Sequence, residues 1–126
     1  MKETIVVRGG GDIATGTIYK LHKSGFRVVV LETSKPSAIR RNVAFCEAVY
    51  EGKQTVEDVT CYRVDTVEQA NALLEKGQLP LLIDPVGKSI QKLQPFAVID
   101  GILAKKNLGT TRDMAQLTIG LGPGFT

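Results

Sequence analysis

Three consecutive glycines, Gly9, Gly10 and Gly11, followed by Asp12, Ile13 and Ala14, satisfy the spacing G-x-G-x-x-G/A. That spacing suits a ligand that carries phosphate. The first glycine permits a tight turn, the second lets backbone approach a pyrophosphate, and a small third residue lets the following helix pack closely on its strand. The N–H groups at the start of that helix then offer an anion site. A dinucleotide also needs an acid about 20 residues further on, at the end of the second strand, to hold a ribose hydroxyl. Glu32 stands 21 positions after Gly11. A carboxylate there disfavours a 2′-phosphate, which points to NAD over NADP unless Arg40 or Arg41 supplies a cation.

One feature works against this reading. Asp12 sets a carboxylate beside the phosphate pocket, and like charges repel unless Arg8, a lysine or a bound cation lies between them. Two other readings therefore stand beside the dinucleotide: a different phosphate-bearing ligand, or a helix-capping aspartate at a turn that binds nothing. Asp84 before Pro85 and Asp100 before Gly101 end strand-like runs, where the ligand crevice of an open α/β sheet lies. Each either faces a ligand or simply starts a turn, and the turn is favoured. Lys105, Lys106, Asn107, Gly109 and Thr110 join two cations to amide and hydroxyl donors around a glycine, a composition that suits an anionic group or a solvated basic loop equally well.

These residues need elements to position them. Ile5-Val6-Val7 reads as a buried strand ending in the glycine turn. Ala14, Ile18 and Leu21 then fall on one helical face, with Asp12 as the capping residue and Gly25 as the stop. Arg27–Leu31 is nearly continuous in hydrophobicity, which indicates a parallel strand covered on both faces. Ser37 is expected to cap a helix with Ile39, Val43, Cys46 and Val49 or Tyr50 on one stripe, ended by Gly52, and a polar connection leads from there to a strand near Val59–Val64. Asp65 or Thr66 caps the next helix, which carries Val67, Ala70, Leu73 and Leu74 and stops at Lys76-Gly77. Leu81–Ile83, Ala97–Ile99 and Leu117–Ile119 complete the strand candidates. Strands alternating with helices of about a dozen residues predict a doubly wound, mostly parallel α/β sheet of Rossmann type, a single nucleotide-binding domain over 1–126.

Composition sets the outer bounds. The chain has 126 residues, 43% hydrophobic and 23% charged, the balance of a globular domain. No window approaches the roughly 18 apolar residues of a membrane span, which leads to the expectation of a cytoplasmic protein without a membrane partner. A net charge of +3 is too small and too scattered for a dedicated nucleic-acid binder, yet compatible with an anionic small ligand. Cys46 and Cys61 lie 15 positions apart with no CxxC, and His22 is the single histidine, so neither a zinc site nor a disulfide framework is expected. Both thiols read as buried and inert. No Ser-His-Asp order, HExxH or Walker lysine is present, and no residue is assigned a catalytic role. Tyr19 and Lys23 have the Tyr-x-x-x-Lys spacing of some oxidoreductases but fall on the first helix, away from the position that chemistry needs.

Four separated blocks, Val6 to Gly16, Pro36 to Arg41, Glu47 to Gly52, and Ala104 to Thr110 with Leu121 to Phe125, resemble the selenium-dependent molybdenum hydroxylase accessory proteins of the YqeB type. That group is similar to the XdhC/CoxF maturation factors of xanthine and carbon monoxide dehydrogenases. The resemblance implies a Rossmann-like protein that helps mature or insert a molybdenum-pterin cofactor, with a molybdenum hydroxylase client enzyme as partner and a homodimer as one arrangement. By position it makes Gly9 to Gly16 a nucleotide or phosphate loop. It places Arg40, Arg41, Lys105, Lys106, Asn107, Thr110 and the 120–125 loop, with Gly122 and Gly124, around an anionic site. A pterin that carries a phosphate or nucleotide suits such a cradle as well as NAD does. Gln116 departs from the proline the pattern has before the last strand. Members of the group continue well past the final glycine loop, so the chain is read either as a whole domain or as the ordered part of a longer one.

Overall fold

In a computed structural model, residues 3–33 and 44–100 are described, with the backbone alone at 12, 13 and 117–120. The first strand, β1 (Thr4–Arg8), leads through the glycine turn into α1 (Asp12–Lys23), and β2 (Arg27–Glu32) follows. A 3-10 turn at Phe45–Glu47 runs into the short α2 (Ala48–Glu51), then β3 (Lys53–Val56) and β4 (Val59–Val64) form a hairpin. The chain continues through α3 (Val67–Glu75), β5 (Leu79–Ile83), α4 (Ile90–Leu93), β6 (Ala97–Asp100) and β7 (Leu117–Gly120).

The strands form one sheet in the order β3-β4-β5-β2-β1-β6-β7. Every neighbouring pair is parallel except β3 with β4. This is the Rossmann-like α/β architecture that the alternating pattern predicts. The near-continuous apolar strands have their reason in the two cores. Val6, Val29, Leu31 and Val98 pack with Ala70 and Leu74 of α3 and Ile90 and Leu93 of α4. Val7, Val28, Val30 and Ile99 pack on the other face with Ala14 and Ile18 of α1 and with Phe45, Ala48 and Val49. Each fully buried Val, Leu or Ile contributes about 1.5–3 kcal/mol relative to exposure. A strand with apolar side chains on both faces has no stable place except between two layers.

Helix ends follow local chemistry. Thr66 caps α3, its hydroxyl accepting the Gln69 N–H at 3.1 Å while the Gln69 side chain accepts the Asp65 N–H at 2.8 Å. Gly25, Gly52 and Gly77 follow α1, α2 and α3 with φ of +93°, +84° and +74°, a region costly for any residue with a Cβ.

Three expectations are corrected. The N-cap of α1 is Gly11, not Asp12, and it makes no side-chain capping bond. Three residues are taken up in turning out of β1, so the helix starts one residue earlier than the Asp-cap pattern indicates. The stretch between Gly52 and Val59 is not a polar connection but the strand β3, whose alternating exposure suits the edge of a sheet. Of the helix expected from Ser37 to Tyr50, the described part is the 3-10 turn at Phe45–Glu47 and the single turn of α2, while its first half lies outside the described residues.

The sheet order reverses at β1, from which the chain goes first to β2 on one side and later to β6 on the other. In open α/β sheets the crevice beyond the carboxyl ends at such a reversal is where ligands bind. Here its rim is formed by Arg8 and Asp100, which are partners in register.

Candidate functional site

The glycine turn stands at that crevice, and each glycine has a separate cause. Gly9 has φ of +94° and donates its N–H to the Leu31 carbonyl at 2.7 Å, which turns the chain out of the sheet. At Gly10 a Cβ would lie 3.0 Å from the Cys46 backbone nitrogen and 3.3 Å from both Cys46 Cα and Val30 Cγ1. Gly10 is therefore glycine for packing. Among the described residues a Cβ at Gly11 would meet nothing within 4 Å, and its φ of −76° strains no residue. Ala14, third in the spacing, is buried where α1 meets the sheet. The open position of the turn is thus the one where the fingerprint needs backbone to approach a pyrophosphate.

Gly10 is also the most heavily bonded residue of the turn. Its N–H donates to Glu32 Oε2 at 2.7 Å, and its carbonyl accepts the Cys46 N–H at 2.8 Å and the Thr15 hydroxyl at 3.1 Å. The same hydroxyl accepts the Phe45 N–H at 3.1 Å. These bonds join the turn, α1, the end of β2 and the 44–47 segment. They leave the N-terminus of α1 with Gly11 as a cap that has no side chain, so the first N–H groups of the helix are not satisfied by a capping residue.

Glu32 is 7% exposed, and its Oε1 accepts the Thr33 N–H at 2.8 Å. Burial raises its carboxyl above the ordinary glutamate range, partly offset by the N–H groups of Gly10 and Thr33. A carboxylate can accept about four hydrogen bonds, so two accepted N–H groups leave it able to receive a hydroxyl donor.

Across the rim, Arg8 and Asp100 are both 1% exposed, with Nη1 3.8 Å from Oδ2, and Arg8 Nη2 donates to the Pro85 carbonyl at 3.0 Å. Asp84 organises the loop after β5. Its Oδ1 accepts the N–H groups of Gly87 and Lys88 at 3.1 and 3.0 Å, and its Oδ2 accepts that of Ser89 at 2.6 Å. Burial alone would raise the Asp84 carboxyl, but donation from the Ser89 N–H and hydroxyl, with Lys88 and Gly87, holds it below the ordinary aspartate range. Asp84 is therefore the turn-former that was the favoured reading, whereas Asp100 is half of a buried ion pair, which that reading did not include.

The chain is similar to YqeB. The match is to the uncharacterized protein of that name from Escherichia coli K12, 48% identical over 124 residues, which is 98% of this chain and 23% of the relative. The chain thus spans about a quarter of the length of the curated relative it matches. No family model matches it, and no solved structure does.

Among the residues expected at the site, the structure brings together Gly9, Gly10, Gly11, Ala14 and Glu32, with the backbone of Asp12 and Ile13 in the first turn of α1. Arg40, Arg41, Lys105, Lys106, Asn107, Gly109, Thr110, Gly122 and Gly124 lie outside the described residues. Thr15, Cys46 and the pairing of Arg8, expected only as a cation beside Asp12, with Asp100 and the Pro85 carbonyl were not expected as part of this architecture. A hydroxyl one turn into the helix and an arginine ending an otherwise apolar strand are the signals that point to them. Tyr19 and Lys23 are engaged elsewhere, the phenol donating to Asp58 Oδ1 at 2.5 Å and the ammonium to Oδ2 at 2.6 Å. His22 lines a recess of about 150 Å³ with Phe26, Arg27 and Leu74 at the amino edge of the sheet, opposite the glycine turn. Cys46 and Cys61 are both buried and outside any disulfide, and burial pushes the Cys61 thiol well up. Among the described residues no group of three or more His, Cys, Asp or Glu could hold a metal. No described helix is long and apolar enough to cross a membrane.

Proposed function

We propose that this chain is the nucleotide-binding module of an accessory protein that serves selenium-dependent molybdenum hydroxylases, holding a nucleotide or a nucleotide-bearing molybdenum-pterin at the glycine turn. The observation that carries the reading is the division of labour in that turn. Gly9 turns the chain and Gly10 packs on Cys46, but at Gly11, the N-cap of α1, neither the backbone angles nor contact with a described residue requires glycine. It begins a helix whose positive end faces the switch-point crevice. The similarity to YqeB over nearly the whole chain supports the YqeB type, and the accessory role rests on the resemblance carried by the four sequence blocks.

A second reading, an NAD-binding sensor or oxidoreductase, draws on the placement of Glu32 beside Gly10. The oxidoreductase form is the weaker of the two, because Tyr19 and Lys23 are both held by Asp58. Tyr19 is also about 10 Å along the helix from its first turn. Thermal unfolding in the presence of NAD, NADP, ATP, CTP and molybdenum-pterin nucleotides separates the readings, since a ligand at 100 times its Kd adds about 2.7 kcal/mol. Stabilisation by the pterin nucleotide is the expected result. Stabilisation by NAD alone transfers the site to the sensor, and no response to any of them overturns nucleotide binding by this chain.

A further inference from the structure

The ends of α1 and α3 frame the recess of about 150 Å³ at the amino edge of the sheet. The two helices lie on opposite faces, in the two different cores, and each stops at a glycine with a left-handed backbone, Gly25 and Gly77. β2 and β5 then begin side by side. Val30 and Leu81 are partners in that parallel pair, and Arg27 and Gln78 each stand three positions earlier, which puts them on one face of the sheet. That face is the one α3 covers, because Val29 and Leu31, on the same side of β2 as Arg27, pack with Leu74. His22 reaches the recess from α1, and Phe26 and Leu74 give it apolar walls.

The polar chemistry of this lining is one-sided. Arg27 brings guanidinium N–H groups, His22 a ring N–H and Gln78 an amide, while no described residue that lines the recess is acidic. The helix ends beside it are closed by backbone. The carbonyls of Lys20, Leu21 and His22 accept the N–H groups of Ser24, Phe26 and Gly25, and those of Leu73 and Leu74 accept the N–H groups of Lys76, Gln78 and Gly77. The polar character of the recess is therefore set by its side chains, which are donors.

We infer that this recess is a second ligand site, separate from the glycine turn, and that it takes a small monocarboxylate with a branched apolar body. A guanidinium fork pairs with a carboxylate through two parallel hydrogen bonds, and the Phe26 and Leu74 walls supply the apolar contact that fixes the rest of the guest. The volume is that of about five water molecules at about 30 Å³ each, room for an acid of the size of isovalerate and not for a nucleotide. Arg27 and Glu32 stand at opposite ends of β2, about 17 Å apart at about 3.3 Å per residue, so this site does not rest on the nucleotide reading.

His22 is the single histidine of the chain, so its ring proton resonances give an unambiguous NMR signal from the recess. At constant pH, isovalerate is expected to shift them saturably, and isovaleramide, which keeps the shape and loses the charge, to leave them in place. Arg27→Met removes the fork and weakens isovalerate about tenfold. Lys23→Met removes a neighbouring cation that Asp58 holds, and leaves the affinity unchanged. No saturable shift with isovalerate overturns the site. Equal affinity for isovaleramide, or equal affinity of Arg27→Met, overturns recognition of the carboxylate by Arg27. Tighter binding of inorganic phosphate overturns the ligand class, and a matching loss in Lys23→Met overturns the recess as the source of the attraction. The comparison of isovalerate with isovaleramide uses the unaltered protein and decides the point whether or not Arg27→Met folds.

Discussion

Glu32 Oε2 accepts the backbone N–H of Gly10 at 2.7 Å across 22 residues of sequence, closing the end of β2 onto the glycine turn. The bond fixes the turn from inside the protein, and a second one, from the Thr33 N–H at 2.8 Å, fixes the carboxylate. Truncation at this position leaves the buried Gly10 N–H without its acceptor. Glu32→Ala is expected to lower stability by about 1–3 kcal/mol, read as a shift of the denaturant midpoint at constant slope. An unchanged midpoint would show that water replaces the carboxylate without cost.

Arg8 and Asp100 form a buried pair at the rim of the crevice. Removing one partner strands a charge, so Asp100→Ala should cost about 3–5 kcal/mol. Replacing both with apolar residues of similar volume, as in Arg8→Met with Asp100→Leu, should recover a large part of that loss in the same denaturation assay. If the double variant is as unstable as the sum of the single ones, the two residues act independently and the pair is not the organising contact.

Two buried carboxylates give opposite pH slopes. The Glu32 carboxyl is raised by burial, so its contribution is fully present below the unfolded pKa of about 4.3 and is lost as pH rises through the folded value. The Asp84 carboxyl is lowered, with the donation from Ser89, Lys88 and Gly87 outweighing the effect of burial. Its contribution is present above about pH 3.9 and is lost as pH falls through the folded value. Unfolding measured from about pH 3 to 7 should therefore show Glu32→Gln without the decline on the rising side and Asp84→Asn without the loss on the acid side. Identical profiles for both variants and the unaltered protein would contradict the assignment.

Gly10→Ala separates packing from binding. Its Cβ would press on the Cys46 backbone at 3.0 Å, where no flexible side chain can give way. The expected result is a lower unfolding midpoint even without ligand, by about 1–3 kcal/mol. Unchanged stability would mean that the 44–47 segment moves freely off the turn.

The long apolar strands were legible in the sequence because residues such as Val6 and Val7, or Val29 and Val30, must face opposite cores. The glycine terminators were legible too, since Gly25 and Gly77 take up backbone angles that other residues resist. β3 was not, because its four residues alternate in exposure at a sheet edge and its turn contains Glu57 at φ of +55° in place of a glycine or asparagine. α4 is a single turn whose loop is organised by Asp84, too short to show periodicity. At the site, the spacing from Gly9 to Ala14 and on to Glu32 could be read directly. The tie from Cys46 to Gly10 could not, because it joins distant segments through backbone groups that every residue has, and nothing in the sequence marks the Thr15 hydroxyl as the link between the Gly10 carbonyl and the Phe45 N–H.

The central claim is that Gly11 is glycine for the sake of a ligand. Gly11→Ser tests it most directly, since serine meets no described residue there, fits the backbone angles of Gly11 and is a preferred helix N-cap. Its hydroxyl takes up N–H groups that the ligand would otherwise use. Thermal unfolding of the variant and the unaltered protein, alone and with NAD or a molybdenum-pterin dinucleotide, reads both effects together. The account predicts a variant as stable as the original or a few tenths of a kcal/mol more so, with the ligand-induced stabilisation lost. Full stabilisation by the same ligand in Gly11→Ser would contradict it.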